Sequence, residues 1–290
     1  MRDLTMDSRK APWEDGLRVV GVVARKELRD AAVNRWLAVY ALVFGLLAVG
    51  VSYLGYLEMG STAFQGFGRT TASLLNLCLL MVPIVALIMG ASSIAGERET
   101  GTLITQLGQP VGRTEFLLGK FLGQFGAVAL ATLAGFGLAG IVVAVLAPPE
   151  DISVYVLFVA LVIALTLAML SLGYFLSVVC GSRLRALLAA VFVWFAMALL
   201  MDLVAIGALA VAHLSEPLLW VMLLLNPVEI VRLLAIFTLE PDLYVLGPLG
   251  SFLRESVGTG TAVAVMGAAL AAWAAIPLAL ACAVFRRQDV

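Results

Sequence analysis

The chain has 290 residues, 62% hydrophobic and 13% charged, with a mean hydropathy of +1.07. Soluble domains average roughly 45–50% apolar and 25% charged, so an ordinary soluble domain is excluded, and the apolar residues fall in runs longer than the roughly 18 that mark a membrane span. The net charge of −1 gives no basic field for nucleic acid. Cys78, Cys180 and Cys282 lie far apart in or beside apolar runs, with neither a disulfide framework nor a CxxC metal motif.

Residues 1–15 read as a polar tail, followed by one membrane domain over 16–290. The first 35 residues hold no apolar signal-peptide core, so the first true span is expected to start insertion. Residues 16–35 predict a basic amphipathic helix on the inner membrane surface: Leu17, Val20, Ala24, Leu28 and Ala31 fall within about 80° of arc, and Arg18, Arg25 and Arg29 cluster roughly 120° away. It serves as an anchor for the first span, and contacts to a cytoplasmic partner are compatible with that role.

Six spans are expected, at 36–57, 74–95, 123–146, 154–179, 186–211 and 261–285, so the fold is an all-α polytopic membrane protein. Lysine and arginine set its orientation. The N-terminal stretch carries eight, the 96–120 loop three, the 180–185 loop two and the C-terminus two, against one in the 58–73 loop, none in the 147–153 loop and two in the 212–260 segment. This asymmetry predicts both termini in the cytoplasm of a cell (inner or plasma) membrane.

Residues 218–237 are apolar enough for a seventh crossing, but Asn226-Pro227 interrupts them and Glu229 and Arg232 follow. A broken pair of external helices is expected there instead, with Glu229 and Arg232 pairing or meeting an external partner. Between spans two and three, Gly101 and Gly108 bracket a short helix that Pro110 stops, and Thr114 reads as the N-cap of the next helix. Exposed Leu103, Ile104 and Leu107 suit docking in a groove on another protein.

The stretch Glu97-Arg98-Glu99-Thr100-Gly101-Thr102, with the later Pro110, Arg113 and Leu118-Gly119-Lys120, resembles the coupling region of ABC-2 type permeases, the membrane subunits of ATP-binding cassette transporters. More narrowly, Ala24-Arg25-Lys26-Glu27-Leu28, Asn34-Arg35-Trp36-Leu37, residues 223–233 (LLLNPVEIVRL) and Phe285-Arg286-Arg287 resemble the NosY-like permeases of nitrous oxide reductase maturation transporters. The resemblance covers nearly the whole chain. It implies a homodimer with an N-terminal elbow helix (16–35), a coupling helix in the 96–120 loop and external helices between spans five and six. It also implies a separate cytoplasmic ATPase dimer that binds ATP and magnesium, a periplasmic or extracellular accessory protein, and delivery linked to the copper site of nitrous oxide reductase.

The chain has no GxxxxGK[ST] phosphate loop, so it is expected to bind no cofactor of its own and to receive ATP energy mechanically. Glu97, Glu99, Thr102, Leu103, Ile104, Leu107 and Arg113 are the expected points of entry. No catalytic residue is expected: Ser92 and Ser93 are expected at the cytoplasmic end of span two and His213 on the outer side, and HExxH is absent. Soft copper ligands are few. Cys78 with Met81, and Met197 with Met201, share helix faces, but methionine in apolar helices is chiefly packing filler, so no metal site is expected. Asp202, roughly 24 Å up span five, reads either as a pore or gate contact beside Met197 and Met201 or as an interhelical hydrogen bond. Pro83 and Pro277 are expected to kink their helices, and Gly135, Gly137 and Gly140 to allow close packing. A generic ABC-2 exporter of a lipid, drug or other small molecule is the alternative, because the shared motif says nothing of cargo.

Overall fold

A computed structural model describes residues 12–58, 66–109, 111–146, 152–200, 216–239 and 258–288. Among them every element is helical: α1 (Pro12–Ala32), α2 (Arg35–Glu58), α3 (Gly66–Thr100), α4 (Thr102–Leu107), α5 (Arg113–Leu146), α6 (Ile152–Val179), α7 (Arg183–Phe195) with a π-turn at Ala196–Leu200, α8 (Glu216–Leu224), α9 (Pro227–Leu239) and α10 (Thr259–Arg287).

Five helices are long and apolar enough to cross a membrane, over Arg35–Leu54, Ser73–Thr100, Arg113–Val142, Ser153–Val179 and Thr259–Arg287. They match five of the six expected spans, with α3 and α5 extending further toward the loop between them. Of the span expected at 186–211, only the part through Leu200 is described, so Met201 and Asp202 fall outside the described residues, as does His213.

Two close approaches organise the bundle. Gly90 of α3 and Gly173 of α6 face each other: an ideal Cβ on Gly173 would sit 2.7 Å from the Leu87 carbonyl oxygen, and one on Gly90 2.7 Å from that of Leu170. Only hydrogen at both positions lets the backbones meet. The second approach, between α2 and α5, is filled by aromatic side chains. Phe44 stacks on Tyr40, meets Phe136 edge-on, and covers Gly135, while Gly137 has no neighbour within 4 Å of its Cβ position.

The N-terminal helix departs from expectation. Gly16 meets Glu115 of α5, Val20 and Val23 meet Gly119, Ala24 and Glu27 meet Gly123, and Leu28 meets Gly126. These contacts advance together along both chains, so α1 runs beside the first four turns of α5 and does not lie alone on a membrane surface. Its packed side takes in Val20, Ala24, Leu28 and Ala31 of the expected apolar arc and extends beyond them to Val23 and Glu27, leaving Leu17 exposed. The cause is Gly119 and Gly123, which admit the α1 backbone most closely beside its smaller residues. Asn34 then starts α2: its side-chain oxygen accepts from the Trp36 N–H at 2.9 Å, an N-cap.

Helix α3 runs through Pro83 and α10 through Pro277. The indole N–H of Trp194 donates to the Leu80 carbonyl, three residues before Pro83, at 3.1 Å and ties α7 to α3. Asn226-Pro227, read above only as a break, is also a start signal. Asn226 caps α9 through the Val228 N–H at 3.0 Å, and Pro227 occupies the first helical position, where no N–H is needed. Helix α9 buries Val228, Ile230, Val231 and Leu233 in the common core.

A candidate coupling site

Helix α3 ends at Thr100, and Gly101 reverses the chain in the left-handed region at φ 72°, which any residue with a Cβ adopts only with strain. The six residues of α4 follow. Leu103 is fully buried and Ile104 is 64% exposed, while Thr102 and Thr105 face outward and Leu107 is half-buried. The expected apolar tip is therefore a two-sided knob, and Leu103, predicted to be exposed, is its root. A helix of under two turns must bury one side chain to be held at all.

Beneath the knob lies a buried charge network. The Lys120 ammonium on α5, 4% exposed, donates to Glu97 Oε1 of α3 at 2.7 Å and lies 2.9 Å from Glu27 Oε1 of α1. Gln106 of α4 donates to the same Glu97 oxygen at 3.1 Å. One lysine thus joins α1, α3 and α5, and Glu97 adds α4. The other Glu97 oxygen and the Gln106 side-chain amide oxygen are buried without a hydrogen-bond partner among the described residues, leaving the network short of donors. At its edge, Lys26 lies 3.3 Å from Glu27 and 3.5 Å from Asp30. Partial burial works against its charge, but the two carboxylates outweigh that and hold Lys26 above its ordinary value of 10.5.

The remaining charged residues of this region bind the ends of other helices. Glu99 Oε2 accepts the Arg183 N–H at 3.0 Å, satisfying a free donor in the first turn of α7, whose N-cap is Ser182. Arg98 donates to the Cys180 carbonyl at 3.2 Å and to Gln288 Oε1 at 2.6 Å. Arg113 donates to the carbonyls of Arg286 and Gln288, at the end of α10 where a helix offers unsatisfied acceptors. Thr114 is not the N-cap of α5, as the sequence suggested. It lies inside the first turn, and Glu115 reaches back to the Gly112 N–H at 3.3 Å, half of a capping box.

Of the residues expected to couple, Glu97, Glu99 and Arg113 are engaged internally, Leu103 anchors, and Thr102 and Ile104 are presented. Arg18, Arg25 and Arg29 are exposed on the side of α1 away from α5. Sequence reasoning passed over Glu27 and Lys120. The available signal was an acidic residue at the edge of an apolar helix face and a lysine three residues before an expected span. Met197 and Asn226 do meet: the Asn226 amide donates to the Met197 carbonyl at 2.7 Å, within the π-turn, where carbonyls leave the regular ladder. Glu229 and Arg232 pair at 2.8 Å. Cys78 is buried in the core and Met81 packs partly buried against it. Among the described residues no group of three or more His, Cys, Asp or Glu side chains gathers as a metal site would require.

The profile of the "ABC-2 family transporter protein" family matches residues 22–290. The chain is 38% identical over 281 residues to the "Probable ABC transporter permease protein NosY" of Pseudomonas aeruginosa, covering 94% of this chain and 99% of that one. It is likewise 38% identical over 276 residues to the protein of the same description from Stutzerimonas stutzeri, covering 92% and 97%. A match of this extent, on an all-helical chain with five membrane-length helices, places the chain in the ABC-2 transporter family as a NosY-like permease subunit of an ABC transporter.

Proposed function

We propose that this permease works as a homodimer in the cell membrane, with both termini cytoplasmic, and transmits the ATP-driven movement of a separate cytoplasmic ATPase dimer through α4. The observation that carries this is the division of α4: Leu103 is sealed in the core and Ile104 stands 64% exposed on the neighbouring face. A force on Ile104 and Thr105 would reach Gln106, Glu97 and Lys120 through short contacts, and so α3, α5 and α1 together. The cluster of basic residues at the N-terminus, the 96–120 loop and the C-terminus supports the cytoplasmic placement. Ile104→Asp changes an exposed side chain and should leave folding intact, while the ATPase no longer co-purifies with the chain and its turnover is no longer stimulated. Unchanged co-purification and stimulation would overturn the assignment of α4.

The physiological end is proposed to be maturation of the copper site of nitrous oxide reductase, by cargo movement or by mechanical work on an extracytoplasmic accessory protein. The similarity to NosY permeases supports this. Cells lacking the chain should accumulate copper-depleted nitrous oxide reductase, restored by the full chain but not by Ile104→Asp. Normal copper content without the chain would overturn the assignment. The alternative, a generic exporter of an apolar molecule, has one feature in its favour, a cleft of ≈ 370 Å³ between α6, α8 and α10 lined by Leu172, Phe175, Trp273 and Ile276. Transport of such a molecule by ATPase-reconstituted vesicles would select it.

A further inference from the structure

A second cleft, of ≈ 540 Å³, opens where α1 turns into α2 beside α5. It exists because the three helices meet there through small side chains: Ala32, Ala38, Ala41, Ala127 and Ala131 line it, with Leu28, Leu37 and Leu130. At one end stand Arg25 and Arg29. Both are exposed, and neither makes an ion pair with any described residue, since Asp30 is engaged by Lys26. The two ends differ in their relation to the membrane. Leu37, Ala38 and Ala41 belong to the span Arg35–Leu54, and Ala127, Leu130 and Ala131 to the span Arg113–Val142, whereas both arginines precede the first span. Trp36, 79% exposed at the start of that span, marks the boundary where indole rings settle between hydrocarbon and water.

We propose that this cleft binds one anionic phospholipid, its phosphate held by Arg25 and Arg29 and an acyl chain lying along the alanine-lined floor. Two guanidinium groups without an ion pair among the described residues, at the height of the headgroups, match a negative phosphate in charge and donor geometry. A groove whose walls are transmembrane alkyl surface matches a hydrocarbon chain and offers nothing to a water-soluble ligand. A bound lipid would fill the space between α1 and the first span, bracing the bend at Val33 and Asn34. The proposal stands on membrane embedding alone and does not depend on the partner or cargo proposed above.

The test is native mass spectrometry of the full chain, purified with its ATPase partner, after titration with palmitoyl-oleoyl phosphatidylglycerol or phosphatidylcholine. Phosphatidylglycerol should be retained in preference. Each basic side chain near an anionic surface strengthens association roughly five-fold, so Arg25→Gln with Arg29→Gln should weaken retention roughly 30-fold. Ala38→Phe, which fills the cleft from an exposed position, should abolish retention of the lipid with the arginines intact. Arg185→Gln with Arg287→Gln, exposed charges elsewhere, should change nothing. Equal retention of the two lipids, an equal loss in the control pair, or a cysteine at position 29 cross-linking to the ATPase or a second copy of this chain would each overturn the proposal.

Discussion

Lys120→Met is the substitution that the buried network makes most informative. It removes an ammonium 4% exposed from between two carboxylates, Glu97 at 2.7 Å and Glu27 at 2.9 Å, whose side chains are themselves only 17% and 8% exposed. Breaking a buried ion pair by deleting one partner costs roughly 3–5 kcal/mol, because the other charge stays behind without compensation. Glu27 keeps Lys26 at 3.3 Å and Glu97 keeps Gln106, so the loss belongs near the lower end of that range. The same physics requires the remedy. Glu27→Gln and Glu97→Gln added to Lys120→Met remove every stranded charge and should restore most of the lost stability, since replacing a whole buried ion pair by neutral groups is often close to neutral. The assay is denaturant unfolding of the purified chain in one detergent, followed by tryptophan fluorescence. A single variant as stable as the parent, or a triple variant worse than the single, would refute the view that Lys120 holds α1, α3 and α5 by charge.

Three further outcomes follow from the packing. Gly173→Ala places a Cβ 2.7 Å from the Leu87 carbonyl oxygen, backbone that cannot move aside, so α3 and α6 should be forced apart at a cost of at least about 1–3 kcal/mol, seen in the same unfolding assay. Asn226→Ala should lose both the α9 cap and the bond to the Met197 carbonyl, about 2 kcal/mol together, whereas Asn226→Asp keeps the cap but sets a buried carboxylate oxygen against the Met197 carbonyl oxygen and should be at least as costly at neutral pH. Arg98→Gln with Arg113→Gln should free the end of α10, so that a cysteine placed at the exposed Arg287 position reacts faster with a water-soluble maleimide than in the parent background; an unchanged rate would refute the anchoring.

Much of this molecule was legible because hydrocarbon imposes a simple rule: long apolar segments form uninterrupted helices, and five of the expected spans are those helices. What escaped was phase and partnership. The apolar periodicity of α1 located most of the packed side, Val20, Ala24, Leu28 and Ala31, but not its full width: the contact extends to Val23 and Glu27 and leaves Leu17 exposed, because Gly119 and Gly123 on α5 decide where the backbones approach. Helix α4 is too short for periodicity to separate Leu103 from Ile104; only the body beneath it does so. Glu27 finds Lys120 across 93 positions of sequence, a pairing no local pattern encodes. Asn226-Pro227 was visible but read one way, as the end of a helix, although the pair is also among the strongest ways to begin one.

These escapes share a cause that bears on the proposed transmission of force. A helix in lipid gains little from facing one way over another, since lipid tails are as apolar as its neighbours. Orientation is therefore set by the few polar side chains that must find each other and the few glycines that let backbones touch. In this chain both gather where α1, α3, α4 and α5 converge: Glu27, Glu97, Gln106 and Lys120 for charge, Gly119 and Gly123 for approach. Short polar contacts and backbone approach together hold the parts of this junction in fixed relation. A displacement delivered to the exposed face of α4 would on that account move the junction as a unit, with Arg98, Glu99 and Arg113 carrying it to α7 and α10.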